Sequence, residues 1–199
     1  AGGMIKHLPA RSVDVFAEAV QTEEVVPARK KARAIRCRKG TATLSEWPGA
    51  WKGYALTGQD GSVDVEALPA VFAREKLDIG SRLLLPHVAH AVSALPAGGA
   101  VLDLACGNGV LGLAALAERG DLQFGFSDVS SQAVLSARHN VERAFPEART
   151  VFSHCDGIDQ TAGPFDLILL NPPFHEGGVV GDHIALRLFE QASRSLKPG

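Results

Sequence analysis

From about residue 70 onward, short apolar runs alternate with stretches whose apolar residues recur every three or four positions. The apolar runs predict strands over residues 100–104, 123–126, 150–153 and 165–170. The periodic stretches predict helices over residues 110–119, 131–144 and 184–196, and a further helix that ends within residues 89–95. Strands that alternate with helices indicate right-handed crossovers and a mostly parallel sheet covered on both faces. The pattern therefore predicts an α/β fold with a Rossmann-like, doubly wound sheet.

The first 70 residues show a weaker pattern. Residues 12–20 predict a short amphipathic helix, and residues 43–68, which contain the turn sequence GQDGS, predict short strands around a turn. We therefore predict an N-terminal appendage or linker over residues 1–69, followed by an α/β domain over residues 70–199. The chain ends on a helix and a turn where such a domain normally starts another strand. We expect a fragment that lacks the last strands of its fold.

Composition narrows the class of protein. Of the 199 residues, 46% are hydrophobic and 21% are charged, so the chain can form a packed core and is not globally disordered. The net charge of −2 provides no overall attraction to nucleic acid, so any such affinity must be local. Three cysteines without metal-binding spacing predict no metal site and favour a reducing cytosol. Because we find neither a signal peptide nor an apolar run of roughly 20 residues, we expect a cytoplasmic protein without membrane association.

One basic stretch is a candidate for local RNA contact. Residues 28–40, "ARKKARAIRCRKG", carry seven basic residues and no acidic residue. Lys30, Lys31, Arg33 and Arg36 are the candidate phosphate-binding residues within this stretch. The alternative is a solvated face that binds nothing.

The first predicted strand runs into a glycine-rich loop, "DLACGNGVLG", over residues 103–112. Gly107, Gly109 and Gly112 allow either close approach of a nucleotide or a tight packing turn, and the glycine spacing alone does not separate the two. Asp103 changes the interpretation because a carboxylate repels pyrophosphate but suits a cationic ligand such as S-adenosylmethionine. The alternative role for Asp103 is to accept a hydrogen bond that orients the loop.

Two further acidic residues follow the next two predicted strands. Asp128 stands where a carboxylate can accept hydrogen bonds from both ribose hydroxyls, although it can also be the N-cap of the following helix. Asp156 can accept the adenine amino group, with Gly157 giving access, or can belong to a plain turn. Ligands of open α/β sheets bind at the carboxyl ends of the strands, where all three acidic residues are predicted to lie.

The fourth predicted strand ends on Asn171-Pro172-Pro173-Phe174-His175. Two consecutive prolines fix the backbone and prevent the hydrogen-bonding ladder from continuing. The simpler interpretation of this stretch is a strand-terminating turn with a buried aromatic residue.

Together these motifs resemble the class I S-adenosylmethionine-dependent methyltransferases. The upstream sequence "VFAREKLDIGSRLLL" over residues 71–85, combined with "NPPFH", resembles the bacterial ribosomal RNA guanine-N2 methyltransferases, and the large-subunit type is favoured over the small-subunit type. The resemblance implies S-adenosyl-L-methionine as cofactor and ribosomal RNA or a ribosomal subunit as partner. In that family a degenerate methyltransferase-like domain precedes the catalytic one, so residues 1–69 are expected to include its tail.

The resemblance implies transfer of a methyl group to the exocyclic N2 of a guanine. Asn171, Pro172, Pro173 and Phe174 are the candidate catalytic residues. The Asn171 side-chain oxygen and the Pro172 carbonyl can accept the two hydrogens of an amino group, which localises its lone pair and directs it at the methyl carbon. Phe174 can stack on the base, and His175 is a candidate RNA contact.

The candidate cofactor-binding residues come from the four predicted strand ends. They are Asp103, Ala105, Cys106, Gly107, Asn108, Gly109, Asp128, Val129, Asp156, Gly157 and Asn171. Cys106 is interpreted as a small apolar residue and not as a nucleophile, because nothing near it in the sequence resembles an activating base. The alternative functions are methylation of protein glutamine side chains or of adenine N6 in DNA, and a catalytically dead domain that only binds RNA.

Overall fold

The computed structural model describes residues 20–25, 35–39, 50–58, 61–159, 162–172 and 180–198. The chain divides into two compact units, Ala1–Ala50 and Trp51–Gly199. In the first unit, strands β1 (Val20–Val25) and β2 (Ile35–Lys39) pair antiparallel. In the backbone register of this pair, Arg36 of β2 lies opposite Glu24 of β1. Val20 begins a strand and does not end a helix; the rest of the helix predicted over residues 12–20 lies outside the described residues. Lys30, Lys31 and Arg33 also lie outside them.

The second unit is built on a four-stranded parallel sheet. Its strands are β5 (Ala100–Leu104), β6 (Gln123–Asp128), β7 (Arg149–His154) and β8 (Leu167–Leu170). They lie in the order β7-β6-β5-β8, with every neighbouring pair parallel. The α/β, doubly wound prediction is confirmed. The strand order reverses direction at β5, so the crevice between the carboxyl ends of β5 and β8 is the position where such sheets bind ligands.

Helices cover both faces of this sheet. They are α1 (Ile79–Ser93), α2 (Val110–Glu118), α3 (Ser131–Ala144) and α4 (Val180–Ser195). Side chains of α1, α2 and α3 share one core with Phe124 and Phe126 of β6. Leu102 and Leu104 of β5 instead pack with Leu188 of α4. Since side chains alternate along a strand, Asp103 must point to the face that α2 covers.

A β-hairpin packs against this α/β core. Strands β3 (Lys52–Gly58) and β4 (Gly61–Ala67) pair antiparallel, which confirms the predicted strands around a turn over this range. The hairpin contacts α3, because the Glu66 N–H donates to Asn140 Oδ1 at 2.9 Å and the Leu68 N–H donates to Ser136 Oγ at 3.0 Å. The end of the hairpin and the residue that follows it therefore pack with the α/β domain. The origin of residues 1–69 as the tail of a preceding domain stays a prediction.

None of the helices in the described part of the chain is both long enough and apolar enough to cross a membrane.

Candidate active site

A cavity lies at the carboxyl ends of β5 and β8. Its lining residues come from the glycine-rich loop, from the segment that enters α1 and from the end of β8: Phe72, Ala73, Asp78, Ser81, Asp103, Ala105, Cys106, Gly107, Asn108, Val110, Leu111 and Asn171. Because Leu104 of β5 pairs with Leu170 of β8, the chain places Asn171 next to the start of the glycine-rich loop. The structure thus brings the predicted catalytic asparagine and most of the predicted cofactor loop into one cavity.

The glycines of the loop have different structural roles. Gly107 has a φ of +55°, and a Cβ placed on it would meet no heavy atom within 4 Å. A Cβ on Gly112 would lie 2.2 Å from a ring carbon of Phe126, so this glycine allows α2 to pack closely against β6. One glycine therefore leaves the loop open and the other brings helix and strand together. The packing interpretation is confirmed at Gly112, and close approach of a nucleotide at Gly107 stays a prediction.

Asp103 supports the loop from beneath. The side chain is only 2% exposed, and its Oδ2 accepts a hydrogen bond from the Gly112 N–H at 2.9 Å. Burial is the main cause that raises the pKa of Asp103 to about 8. The hydrogen bond from Gly112 acts to lower this pKa, and the charge of Asp128 acts to raise it. The role as a loop-orienting acceptor is thus confirmed. Because Asp103 also lines the cavity, its direct contact with a cationic ligand stays a prediction.

Asp128 connects the end of β6 to the same loop. Its Oδ2 accepts from the Gly107 N–H at 2.9 Å, and its Oδ1 accepts from the Ser130 N–H at 2.8 Å. The N-cap of α3 is Ser130, whose hydroxyl accepts from the Ala133 N–H, so the alternative of Asp128 as N-cap is wrong. Val129 follows with an exposed side chain. Ribose recognition by Asp128 stays a prediction.

Asp156 is not among the residues that line the cavity. Its exposed carboxylate forms an ion pair with Arg187 of α4, with Nη2 and Oδ1 2.6 Å apart. Gly157 is buried with a φ of +95°, and a Cβ on it would lie 2.0 Å from Gln191 Oε1, so α4 approaches closely here. The adenine contact of Asp156 stays a prediction, and the structure shows its carboxylate engaged by Arg187.

Asn171 is held by two residues whose role was not anticipated from the sequence. Its Nδ2 donates to Asp78 Oδ1 at 3.0 Å and to Ser81 Oγ at 3.1 Å. Pro172, the next residue, is buried. Pro173, Phe174 and His175 lie outside the described residues, so their predicted roles in base stacking, backbone geometry and RNA contact stay predictions.

A helix-capping signal marks Asp78 and Ser81 in the sequence. Asp78 is the N-cap of α1, and its Oδ1 accepts from the Ser81 N–H at 3.0 Å. An Asp before an apolar helical pattern is a recognisable helix start. The signal identifies where the helix begins, but it does not show that the cap reaches Asn171.

Asn108 belongs to a second polar network, which joins the loop to the hairpin. Its carbonyl accepts from Asn140 Nδ2 at 3.0 Å, while the same Asn140 amide group donates to the Glu66 carbonyl at 2.7 Å. The Asn108 side chain in turn donates to the Tyr54 hydroxyl at 3.3 Å. Asn140 and Asn108 are almost completely buried, so this network is a buried polar connection between the hairpin and the glycine-rich loop.

Cys106 has the environment of a small buried residue. Burial raises the pKa of its thiol well above the usual range, and the nearby carboxylates of Asp103 and Asp128 raise it further. This agrees with the interpretation of Cys106 as an inert, apolar lining residue. Across the described residues, no group of three or more His, Cys, Asp or Glu side chains is placed to hold a metal ion.

Comparison with known families defines the class of protein. The family model for the methyltransferase small domain matches residues 62–199. The chain therefore belongs to the methyltransferase small domain family, as the resemblance in its motifs predicted.

Two curated relatives carry the name of a particular enzyme within this family. The chain is 41% identical over 197 residues to a protein of Alcanivorax borkumensis named ribosomal RNA large subunit methyltransferase G, a match that covers 99% of this chain and 48% of the relative. It is 38% identical over 202 residues to the protein of the same name from Pseudomonas entomophila, covering 100% of this chain and 52% of the relative. The chain thus spans about half the length of the curated relatives that it matches.

Solved structures agree with the fold. The T. thermophilus 16S rRNA N2 methyltransferase, solved in complex with AdoMet and guanosine, matches with a TM-score of 0.70 and 26% identity, covering 88% of this chain and 47% of that chain. A SAM-dependent methyltransferase from Agrobacterium tumefaciens matches with a TM-score of 0.54 and 20% identity, covering 82% of this chain and 53% of that chain, and supports the fold alone.

Proposed function

We propose that this chain carries the catalytic domain of an S-adenosylmethionine-dependent methyltransferase that modifies the exocyclic N2 of a guanine in large-subunit ribosomal RNA. The observation that carries the proposal is the cavity shared by Asn171 and the glycine-rich loop, in a chain about 40% identical to proteins named ribosomal RNA large subunit methyltransferase G. Such an enzyme acts where ribosomal subunits are assembled, in the bacterial cytoplasm.

The described residues fit the cofactor. Gly107 leaves the loop surface open, and the N-terminus of α2 follows at Val110. The Asp128 oxygens accept backbone N–H groups, but each carboxylate oxygen has two lone pairs and retains capacity for a ribose hydroxyl. A cationic ligand in the cavity would favour the ionised form of Asp103. When bound, S-adenosylmethionine supplies an electrophilic methyl group on a sulfonium.

The end of β8 fits the other reactant. An exocyclic amino group is a poor nucleophile because its lone pair is delocalised into the ring of the base. The Asn171 side-chain oxygen and the Pro172 carbonyl accept its two hydrogens, hold the amine in place and localise the lone pair toward the methyl carbon. A strong general base is not needed, because the amine loses its proton readily once alkylated.

RNA supplies the remaining contacts in this proposal. A guanine inside a folded RNA reaches the cavity only from a single-stranded region or by extrusion from its stack. The basic residues of 28–40, including Lys30, Lys31, Arg33 and Arg36, would contact phosphates and make binding dependent on salt.

Incubation of the protein with labelled cofactor and total RNA, followed by nucleoside analysis, tests the proposal. We expect label in N2-methylguanosine from large-subunit RNA. Parallel incubations with DNA and with total protein test the alternatives, because label in N6-methyldeoxyadenosine of DNA or in methylglutamine of protein would replace the proposed substrate. RNA binding without any transfer to RNA, DNA or protein would indicate a binding domain instead.

A further inference from the structure

Both amide hydrogens of Asn171 are occupied within the protein. Nδ2 lies 3.0 Å from Asp78 Oδ1 and 3.1 Å from Ser81 Oγ. An asparagine amide has two donor hydrogens on its nitrogen and two acceptor lone pairs on its oxygen. With the nitrogen satisfied, the side-chain oxygen is the part of Asn171 that remains to bind a ligand.

Asp78 determines which end of the Asn171 amide lies at the N-cap of α1. A carboxylate only accepts hydrogen bonds, so a flipped Asn171 would place two oxygens against each other. Burial alone would raise the pKa of Asp78, but hydrogen bonds from the Ser81 N–H and hydroxyl, from Asn171 and from the Gly80 N–H hold it below its ordinary value. Asp78 is therefore a carboxylate at neutral pH and takes the Asn171 nitrogen, and not the oxygen, as its hydrogen-bond partner.

Gly80 leaves room for the amide oxygen. A Cβ on Gly80 would lie 2.5 Å from Asn171 Oδ1 and 3.0 Å from Nδ2. Gly80 lies in the first turn of α1, where any residue can adopt the backbone conformation and alanine is a better helix former than glycine. Helix formation therefore does not require glycine here, whereas the position of the Asn171 amide does.

We propose that Asp78, Gly80 and Ser81 are positioning residues that orient the Asn171 amide with its oxygen toward the substrate. The inference rests on the proposed function, because it assigns a purpose to the orientation of Asn171. An oxygen fixed in this direction accepts an N–H from an amino group and rejects a carbonyl or an unprotonated ring nitrogen at the same place. The start of α1 would thus select an amino-bearing base edge without contacting the base.

Gly80→Ala is the most direct test, because it displaces the amide without removing a hydrogen-bonding group. We expect the single-turnover rate of methyl transfer at saturating cofactor to fall 10- to 100-fold, while the cofactor dissociation constant stays within threefold and the protein unfolds at no lower urea concentration. Gly120→Ala is the matched control, since the nearest atom to its Cβ, Leu116 O, is 3.9 Å away. A Gly80→Ala rate within threefold of wild type would overturn the proposal.

A second measurement does not depend on activity. In ¹⁵N-labelled protein the Asn171 side-chain amide signals should shift in Asp78→Ser and in Ser81→Ala. Serine retains a favourable N-cap at position 78 but is too short to replace the carboxylate. Ser93→Ala, at the other end of α1, is the control and should leave the signals unchanged. Unmoved signals in Asp78→Ser and Ser81→Ala would overturn the proposed positioning, even if the wild-type protein transfers no methyl group and the proposed function fails.

Discussion

The glycine-rich loop after β5 and the asparagine after β8 lie side by side, but different parts of the chain hold them. Asp103 and Asp128 hold the loop through backbone groups 9 and 21 residues away in sequence. Asn171 is held by Ser81 and Asp78, which lie 90 and 93 residues earlier. The carboxylates that support the loop therefore come from one strand–helix–strand unit, while the position of Asn171 depends on how α1 packs against the end of β8.

This difference separates the expected effects of substitutions. Changes within the β5–α2–β6 unit alter the loop, and hence the stability of the fold or the affinity for cofactor. Changes at Asn171 or its α1 partners alter the orientation of one amide, and hence the rate of transfer. The four predictions below test this separation.

Asn171→Ala should have the largest effect. Loss of one preorganised hydrogen-bonding group at a reacting centre costs roughly 10²–10³-fold in rate. We expect a loss of that size in methyl transfer to RNA, with cofactor affinity from calorimetry within a few-fold of wild type. Gln123→Ala, at the amino end of β6, is the control and should retain full activity. Equal activity of Asn171→Ala and wild type would remove Asn171 from the mechanism.

Gly112→Ala should affect stability more than any other single change in the loop. The added Cβ would lie 2.2 Å from a ring carbon of the fully buried Phe126, and overpacking of this kind costs roughly 1–3 kcal/mol. Urea denaturation should show that decrease in the free energy of unfolding. Gly120→Ala adds its Cβ in a nearly empty position and should show no decrease in the free energy of unfolding. Equal stability of the two variants would mean that α2 can move away from β6 without cost.

The features of the site that depend on local contacts could be predicted from the sequence, and those that depend on distant contacts could not. Hydrophobic periodicity predicted β5, α2, β6 and the loop between them, because their defining contacts are local. The contact between Asp78 and Asn171 could not be predicted, because it requires knowing how α1 docks on the sheet. Asp156 illustrates the same limit: its position after β7 was foreseeable, but its ion pair with Arg187 depends on the approach of α4.

Asp128→Asn tests the proposed cofactor contact of Asp128, and we expect an effect of intermediate size. The substitution preserves shape but replaces one accepting oxygen with an amide nitrogen, which cannot accept from the Gly107 or Ser130 N–H, so we expect about tenfold weaker binding of S-adenosylmethionine. Asp121→Asn is the matched control, because Asp121 precedes β6 and its carboxylate pairs with Arg119 away from the cavity. Affinity within twofold of wild type in Asp128→Asn would argue against ribose recognition by this residue.

Asp103→Asn should have the smallest effect, seen as a change in pH dependence. The pKa of Asp103 is about 8 in the folded protein, against 3.8 for an ordinary aspartate in the unfolded chain, so between these values the folded state holds a proton that the unfolded state releases. The stabilisation that Asp103 contributes is complete below its pKa in the unfolded chain. It is lost as the pH rises through its pKa in the folded protein. The free energy of unfolding falls by at most about 1.4 kcal/mol per pH unit because of this one group.

Asparagine is neutral at every pH and can still accept the Gly112 N–H. We therefore expect the stability of wild type relative to Asp103→Asn to fall by about 1 kcal/mol between pH 6 and pH 7, measured by urea denaturation of both proteins. Groups that titrate elsewhere cancel in this difference. Parallel stability curves for the two proteins would show that Asp103 is already ionised in the fold, and that the loop rests on a charged carboxylate before any cationic ligand arrives.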